Sequence, residues 1–390
     1  MAVMLGFNHC ALAGTVVRAG LCLVLLLGFS RMVAADPAAA ARLAVFDIGS
    51  GSTRMLVVEL ETCSEAAPVV IHRSSVRLSF AGDLLASGGN RFSVQIRSEA
   101  DAVMSELVAR ARALGAERLV GVATQAFRTA IDGQTLLDSW QQRYGLVARV
   151  ISPEEEARLG YRLVADRFGA VPEGLLVWDI GAGSQQLVWH DRNTRNWQHV
   201  NSDLASVTFR DHALAVLERP AGAISPNPIS SDEAERLVAT LVEWLDAEQV
   251  AQVAAVVSAG FRVVGIGGVH GASLVNQLGL ARGDPVDRMA LSEALGRQLE
   301  RSDEDIGGEY ADTDVTNLIL VGALMDQFGI DRYQVTGMDL TDALVLAMAA
   351  DCRILPHPLS PSKSAMMMHV PVAGALPISW FRQDDLLNPW

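Results

Sequence analysis

Two α/β halves facing each other across a cleft are the fold class this sequence predicts, on three observations. The stretch AVFDIGSGSTRMLVVEL (44–60) reads as an apolar strand, a glycine turn and a second strand. The stretch LVWDIGAGSQQLV (176–188) repeats that device, down to an aspartate where an apolar side chain belongs. Each copy is followed by alternating strand and helix patterns, the mark of sheets covered by helices. A length of 390 residues, half of them hydrophobic, suits two globular domains.

The first half reads as strand 43–47, turn, strand 54–60 and a third strand near 69–78. Over 93–114, Ala100, Val103, Met104, Leu107, Val108, Ala111 and Leu114 recur at helical spacing. A strand at 118–123, a helix from Gln125, a strand at 147–151 and a helix from Pro153 follow. Ser152 before Pro153 and an acidic first turn is a helix-start signal. The second half reads as strands 174–179, 185–190 and one near 197–201, then helix 203–218, a proline-rich loop and helix 231–247. A strand-helix segment around 254–268, helices 289–300 and 314–328, strand 332–336 and helix 339–350 complete it. The expected domains are therefore 42–165 and 166–355, preceded by a small-residue linker at 36–41 and followed by a poorly ordered tail at 356–390.

A net charge of −14, from 31 basic and 45 acidic residues, argues against nucleic acid as partner, because a polyanion coat wants a basic face. An anionic substrate must then be met by local arginines or a bridging metal. Lys363 is the only lysine and lies in the tail, which excludes P-loop and Schiff-base chemistry from the folded part. Residues 1–35 carry a signal-peptide pattern: Arg18, the apolar run Leu21–Phe29 and small residues Val33-Ala34-Ala35 before Asp36. The run is too short for a membrane anchor, so a periplasmic or secreted protein is expected, or a cytoplasmic one if translation starts at Met32. Cys10 and Cys22 would leave with the signal. Cys63 and Cys352 remain, either as a disulfide or as free thiols.

A strand-turn-strand with glycines brings bare backbone N–H groups up to phosphate oxygens, since no Cβ blocks approach. Two such turns across a cleft would grip a polyanion from both sides. Asp47 and Asp179, each ending an inner strand, would then hold a magnesium ion or its waters beside those oxygens.

Five stretches in this order resemble the exopolyphosphatase and guanosine-pentaphosphate phosphohydrolase (Ppx/GppA) family. They are DIGSGSTR (47–54), ATQAFRTA (123–130), VISPEEEARLGY (150–161), DIGAGSQQL (179–187) and GIGGVH (265–270). The resemblance runs from about Leu43 to Ala350 and is to the short, two-domain form without an HD domain. It implies duplicated actin-like or sugar-kinase (ribonuclease H-like) domains with an interdomain cleft, polyphosphate as the partner, Mg2+ as cofactor and a possible homodimer. By position it makes Glu156 the base that activates water, with Glu154 and Glu155 left as a solvated helix start. It assigns phosphate binding to Gly49, Ser50, Ser52, Arg54, Arg128, Gly181, Gly183, Ser184, Gly267 and Gly268. Asp47, Asp179 and Gln186 are its metal-side residues, and Ser202 aligns with a serine after the second turn. For Arg54 a surface ion pair, and for Gly267 and Gly268 close strand-helix packing, are equally good readings.

The chain also departs from the family pattern. Gly51 stands for an asparagine, Ala182 for a third glycine, Gln186 for a glutamate and Thr341 for an arginine. An amide at 186 can orient water but loses the charge that helps bind magnesium. Three readings therefore stand: a phosphoanhydride hydrolase acting on polyphosphate, an impaired member that binds polyphosphate or phosphate, and, in the cytoplasm, a guanosine pentaphosphate phosphohydrolase. A kinase-like ATPase, with an adenosine pocket around Gly265–Gly271, is disfavoured by the glutamate motif.

Overall fold

The computed structural model describes residues 41–350, apart from 62–65, 170, 172–173, 192–193, 195 and 282. The signal pattern, the linker up to residue 40, the tail and all four cysteines lie outside the described residues. Among the described residues no helix is long and apolar enough to cross a membrane.

Two mixed sheets form the frame. The first has strand order β3-β2-β1-β4-β5, built from Ala41–Ile48 (β1), Ser52–Leu60 (β2), Val69–Arg77 (β3), Arg118–Ala123 (β4) and Leu146–Val150 (β5). The second runs β10-β11-β9-β6-β7-β8, from Leu175–Ile180 (β6), Gln185–His190 (β7), Trp197–Ser202 (β8), Arg262–Ile266 (β9), Pro285–Asp287 (β10) and Arg332–Val335 (β11). In each, the repeated device is an antiparallel hairpin, and its first strand pairs in parallel with a later strand, β4 or β9. This is the duplicated arrangement the repeat implied, and the actin-like one the resemblance implied. Edge strand β10 is an addition of the second half alone.

Both faces of β1 are buried, which is why its sequence is almost continuously apolar. Ala44 and Phe46 face Met104 of helix Val94–Ala113 and Trp140 of helix Gly133–Tyr144. Leu43 and Val45 face the other way, toward Leu344 and Met348 of helix Leu340–Ala350. The last helix thus returns to the first sheet. Helix Pro153–Phe168 does the converse. It packs Leu159 and Leu163 into that same layer, but Ala157 and Val164 against Leu175, Val177 and Val188 of the second sheet. It also runs straight through the 165/166 boundary expected from sequence.

Local differences have local causes. The helix expected from Gln125 is two, Gln125–Thr129 and Gly133–Tyr144. Between them the chain folds back so tightly that a Cβ on Gly133 would meet the Phe127 carbonyl at 2.5 Å. Helix 231–247 stops at Trp244, and Asp246 caps a new helix, Ala247–Ser258, by accepting from the Gln249 N–H at 2.9 Å. The expected strand-helix segment around 254–268 is this second helix followed by β9. Helix Phe80–Ser87 and the π-helical turn Val269–Leu274 carried no readable signal in the sequence.

Candidate active site

The two hairpins have the same register. Asp47 lies opposite Arg54 across β1 and β2, and Asp179 lies opposite Gln186 across β6 and β7. The turns match as well: Gly49 N–H donates to Ser52 O and Gly181 N–H to Ser184 O, both at 2.9 Å. They meet face to face. A Cβ on Gly51 would lie 2.5 Å from the Ala182 Cβ, and one on Gly183 would lie 2.7 Å from Ser50 Oγ. Around this meeting point is a cavity of about 740 Å3.

Asp47, Gly49, Ser50, Ser52, Arg54, Glu156, Asp179, Gly181, Gly183, Ser184, Gly267 and Gly268 all line it. Ser50 also ties the first turn down, because its Oγ accepts from the Ala126 N–H at 3.0 Å and donates to Gln125 Oε1 at 3.1 Å. Gly267 has φ +84°, and any Cβ there would lie 2.0 Å from Asp179 Oδ1. A side chain at Gly268 would press on Arg54 Nη2 at 2.6 Å. The late glycine pair therefore clears room for two charged groups of the site.

The carboxylates crowd one another. Burial pushes Asp47 up to about 7, against the pull of Arg54, with Asp339 and Glu156 adding to the rise. Burial likewise pushes Asp179 up to about 7, helped by the Glu156 charge. Arg54 Nη1 reaches Asp47 Oδ2 at 3.2 Å, while the buried Asp47 Oδ1 has no hydrogen-bond partner. Glu156 is raised above the ordinary carboxylate range by burial, opposed by the Arg128 guanidinium 2.8 Å from its Oε2. Among the described residues no three His, Cys, Asp or Glu side chains group closely enough to hold a metal ion between them. Magnesium asks less: one or two carboxylates, with waters and phosphate oxygens completing its shell. Asp47, with its orphaned oxygen, and Asp179, lining the same cavity, fit that donor set.

Two expected residues stand elsewhere. Arg128 does not line the cavity; its Nη1 donates to Glu156 and to the Ile151 carbonyl at 2.9 Å, so here it is paired with that carboxylate. Gln186 is closed off at 1% exposure, its Nε2 donating to Ser184 Oγ at 3.0 Å. It steadies the second turn from behind and is not placed as a metal ligand. Ser202, opposite Gln185 on β8, does not line the cavity either.

The sequence reading missed Asp339, Arg73 and Arg77, all of which line the cavity. Arg73 and Arg77 come from β3, where alternation puts them on one face with Ser75. Arg73 spans Asp339 and Asp342 at the start of the last helix, and its Nη1 lies 3.3 Å from Thr341 Oγ1. A guanidinium thus reaches position 341, where the chain itself has no arginine. The signal for Asp339 was its place before an apolar helix, which reads as a cap. His270, ending GIGGVH, is buried against Trp178 and Tyr333.

Residues 61–204 match the model of the Ppx/GppA phosphatase family. Exopolyphosphatase 1 of Mycobacterium tuberculosis is 26% identical over 220 residues, which is 56% of this chain and 58% of that protein. The chain thus spans little more than half the length of the curated relatives it matches. Among solved structures, the Aquifex aeolicus Ppx/GppA enzyme superposes with a TM-score of 0.58 at 18% identity, over 79% of this chain and 100% of the other. An exopolyphosphatase from Cytophaga hutchinsonii gives 0.62 at 15% identity, over 79% and 97%. The hairpin repeat, the shared fold and the family match agree in what the chain resembles, the Ppx/GppA phosphatase family.

Proposed function

We propose that this protein is a phosphoanhydride hydrolase that releases the terminal phosphate of inorganic polyphosphate. One observation carries the reading: two glycine turns of matching geometry meet at a cavity that also holds Glu156, a buried carboxylate with raised proton affinity. The turn N–H groups, with Ser52 and Ser184, bind and orient the phosphate oxygens, while the Ser50 hydroxyl holds the first turn in place. Glu156, held by Arg128, takes the proton of a water in line with the terminal phosphorus. Asp47 and Asp179 are the residues that would hold Mg2+, which supplies positive charge to the phosphate oxygens when bound. Arg54, between Asp47 and Gly268, bears on the same oxygens.

The test is phosphate release from polyphosphate by the purified protein, with magnesium titrated, beside the Glu156→Gln variant. The variant is expected to fold normally and lose at least ~10²-fold in rate, the lower end of a general-base contribution. Turnover near that of the parent would move the base elsewhere. If neither form releases phosphate but both are stabilised by polyphosphate, the protein binds rather than hydrolyses. Recovery of the parent protein in a periplasmic or secreted fraction would fit polyphosphate and remove a guanosine nucleotide from consideration.

A further inference from the structure

The segment Gly307–Tyr310, just before helix Ala311–Phe328, runs along the cavity and reaches the opposite half. Its first two residues are glycines at φ +73° and +90°, so the chain turns there through conformations that side chains resist. Its far end is pinned to β3. Arg77 donates to the Glu309 carbonyl and lies 5.3 Å from the centre of the Tyr310 ring. Tyr310 is hydrogen-bonded to Ser75. Two residues further on, Arg77 grips Asp312 with both Nη atoms, at 3.0 and 2.6 Å. Arg210 reaches the same carboxylate at 2.7 Å from helix Ser206–Val216.

Asp312 is 8% exposed, whereas Tyr310 is 39% exposed and packs its ring against the Arg77 guanidinium. The strap is therefore held mainly through Arg77, at the Glu309 carbonyl, the Tyr310 ring and the Asp312 carboxylate, rather than by an apolar seat. That arginine lines the cavity. A carboxylate chelated by two guanidiniums occupies a place that suits a phosphate equally well.

We propose that Gly307–Tyr310 is a strap closing the cleft, and that a polyanionic phosphate opens it by taking Arg77 from Asp312. The proposal rests on the phosphate-binding reading of the cavity. A phosphate chain presents an anion at every unit, so it exchanges one partner of Arg77 for another. Arg210 keeps Asp312 from being stranded. The strap then swings about the two glycines while the helix behind it stays seated.

The experiment is amide hydrogen exchange over residues 306–312, with inorganic tripolyphosphate as probe and chloride at matched ionic strength as control. Saturating tripolyphosphate is expected to speed strap exchange by about threefold or more and leave residues 315–325 unchanged. The Arg77→Gln variant is expected to show about tenfold faster strap exchange without ligand, no further response to the probe, and a higher KM. Should that variant not fold, Tyr310→Phe, which loses only the Ser75 contact, is expected to give a smaller rise of the same kind. Unchanged or slower strap exchange when tripolyphosphate raises the thermal midpoint overturns the strap. A probe that raises no midpoint counts against phosphate binding instead. The strap is then judged on Arg77→Gln alone, where unchanged exchange overturns it.

Discussion

At Glu156 the decisive neighbour is Arg128. Burial raises this carboxyl and the guanidinium opposes the rise, so the balance sets the pH at which it ionises. Arg128→Ala removes only the lowering influence, and the acid limb of kcat/KM is expected to move to higher pH, with Arg128→Lys in between. A limb that stays put would make Arg128 a phosphate ligand after all. Asp47 is raised by burial in the same way, its folded value of about 7 lying above the unfolded 3.8. Between those values the folded state holds the extra proton, so stability falls as pH rises through the window. Asp47→Asn is therefore expected to raise the thermal midpoint at pH 8 without magnesium, by a free energy of about 4 kcal/mol at most. The gain should vanish near pH 4, and the variant should be nearly inactive. Thermal melts across that range decide it; a midpoint that drops at pH 8 would show that losing the Arg54 contact outweighs the burial of charge.

At the scale of the element, each hairpin places its aspartate by register, and the turns then pack on each other with almost no room. Gly51 and Ala182, two of the departures from the family pattern, are in contact, so they are one structural change rather than two. Gly51→Ala would bring two Cβ atoms to 2.5 Å and is expected to cost about 1–3 kcal/mol, as overpacking does. Ala182→Gly should recover at least half of that in the double variant. Melting and phosphate release of both single variants and the double complete the cycle. Additive effects would mean that the turns do not touch. The same contact explains why a hydroxyl or amide beside these turns (Ser50, Gln125, Gln186) is spent on holding them.

On the scale of the whole molecule, the two halves are joined by exchanged helices. Helix Pro153–Phe168 lies against the second sheet, and Leu340–Ala350 lies against the first. Leu344, at 4% exposure, is packed among residues of β1 and β2. Leu344→Ala is expected to cost about 2–5 kcal/mol, as a buried leucine truncation does. Because Asp339, Thr341 and Asp342 begin that helix beside Arg73, activity should fall further than the loss of folded protein explains. Specific activity of the folded fraction, set against the melting curve, separates the two effects. Equal losses would confine the helix to a structural part.

Local pattern alone determined the repeated hairpins, the apolar strands, the capped start at Ser152 and the glycine turns. Each rests on residues near in sequence whose spacing obeys the period of a strand or helix. Glu156, Asp47 and Asp179 were legible for the same reason, standing inside those motifs. Arg128 and Gln186 were legible as positions, but their hydrogen-bond partners were not, because a side chain's partner depends on which segments fold beside it. Arg128 meets a carboxylate 28 residues away, and Gln186 turns to its own turn serine. Asp339, Arg73 and Arg77 stand in unremarkable stretches. They enter the site only because the last helix returns to the first sheet and β3 borders the cavity. Such long-range placement comes from burying apolar faces that could in principle pair in several ways, and no periodicity within a segment records which pairing wins.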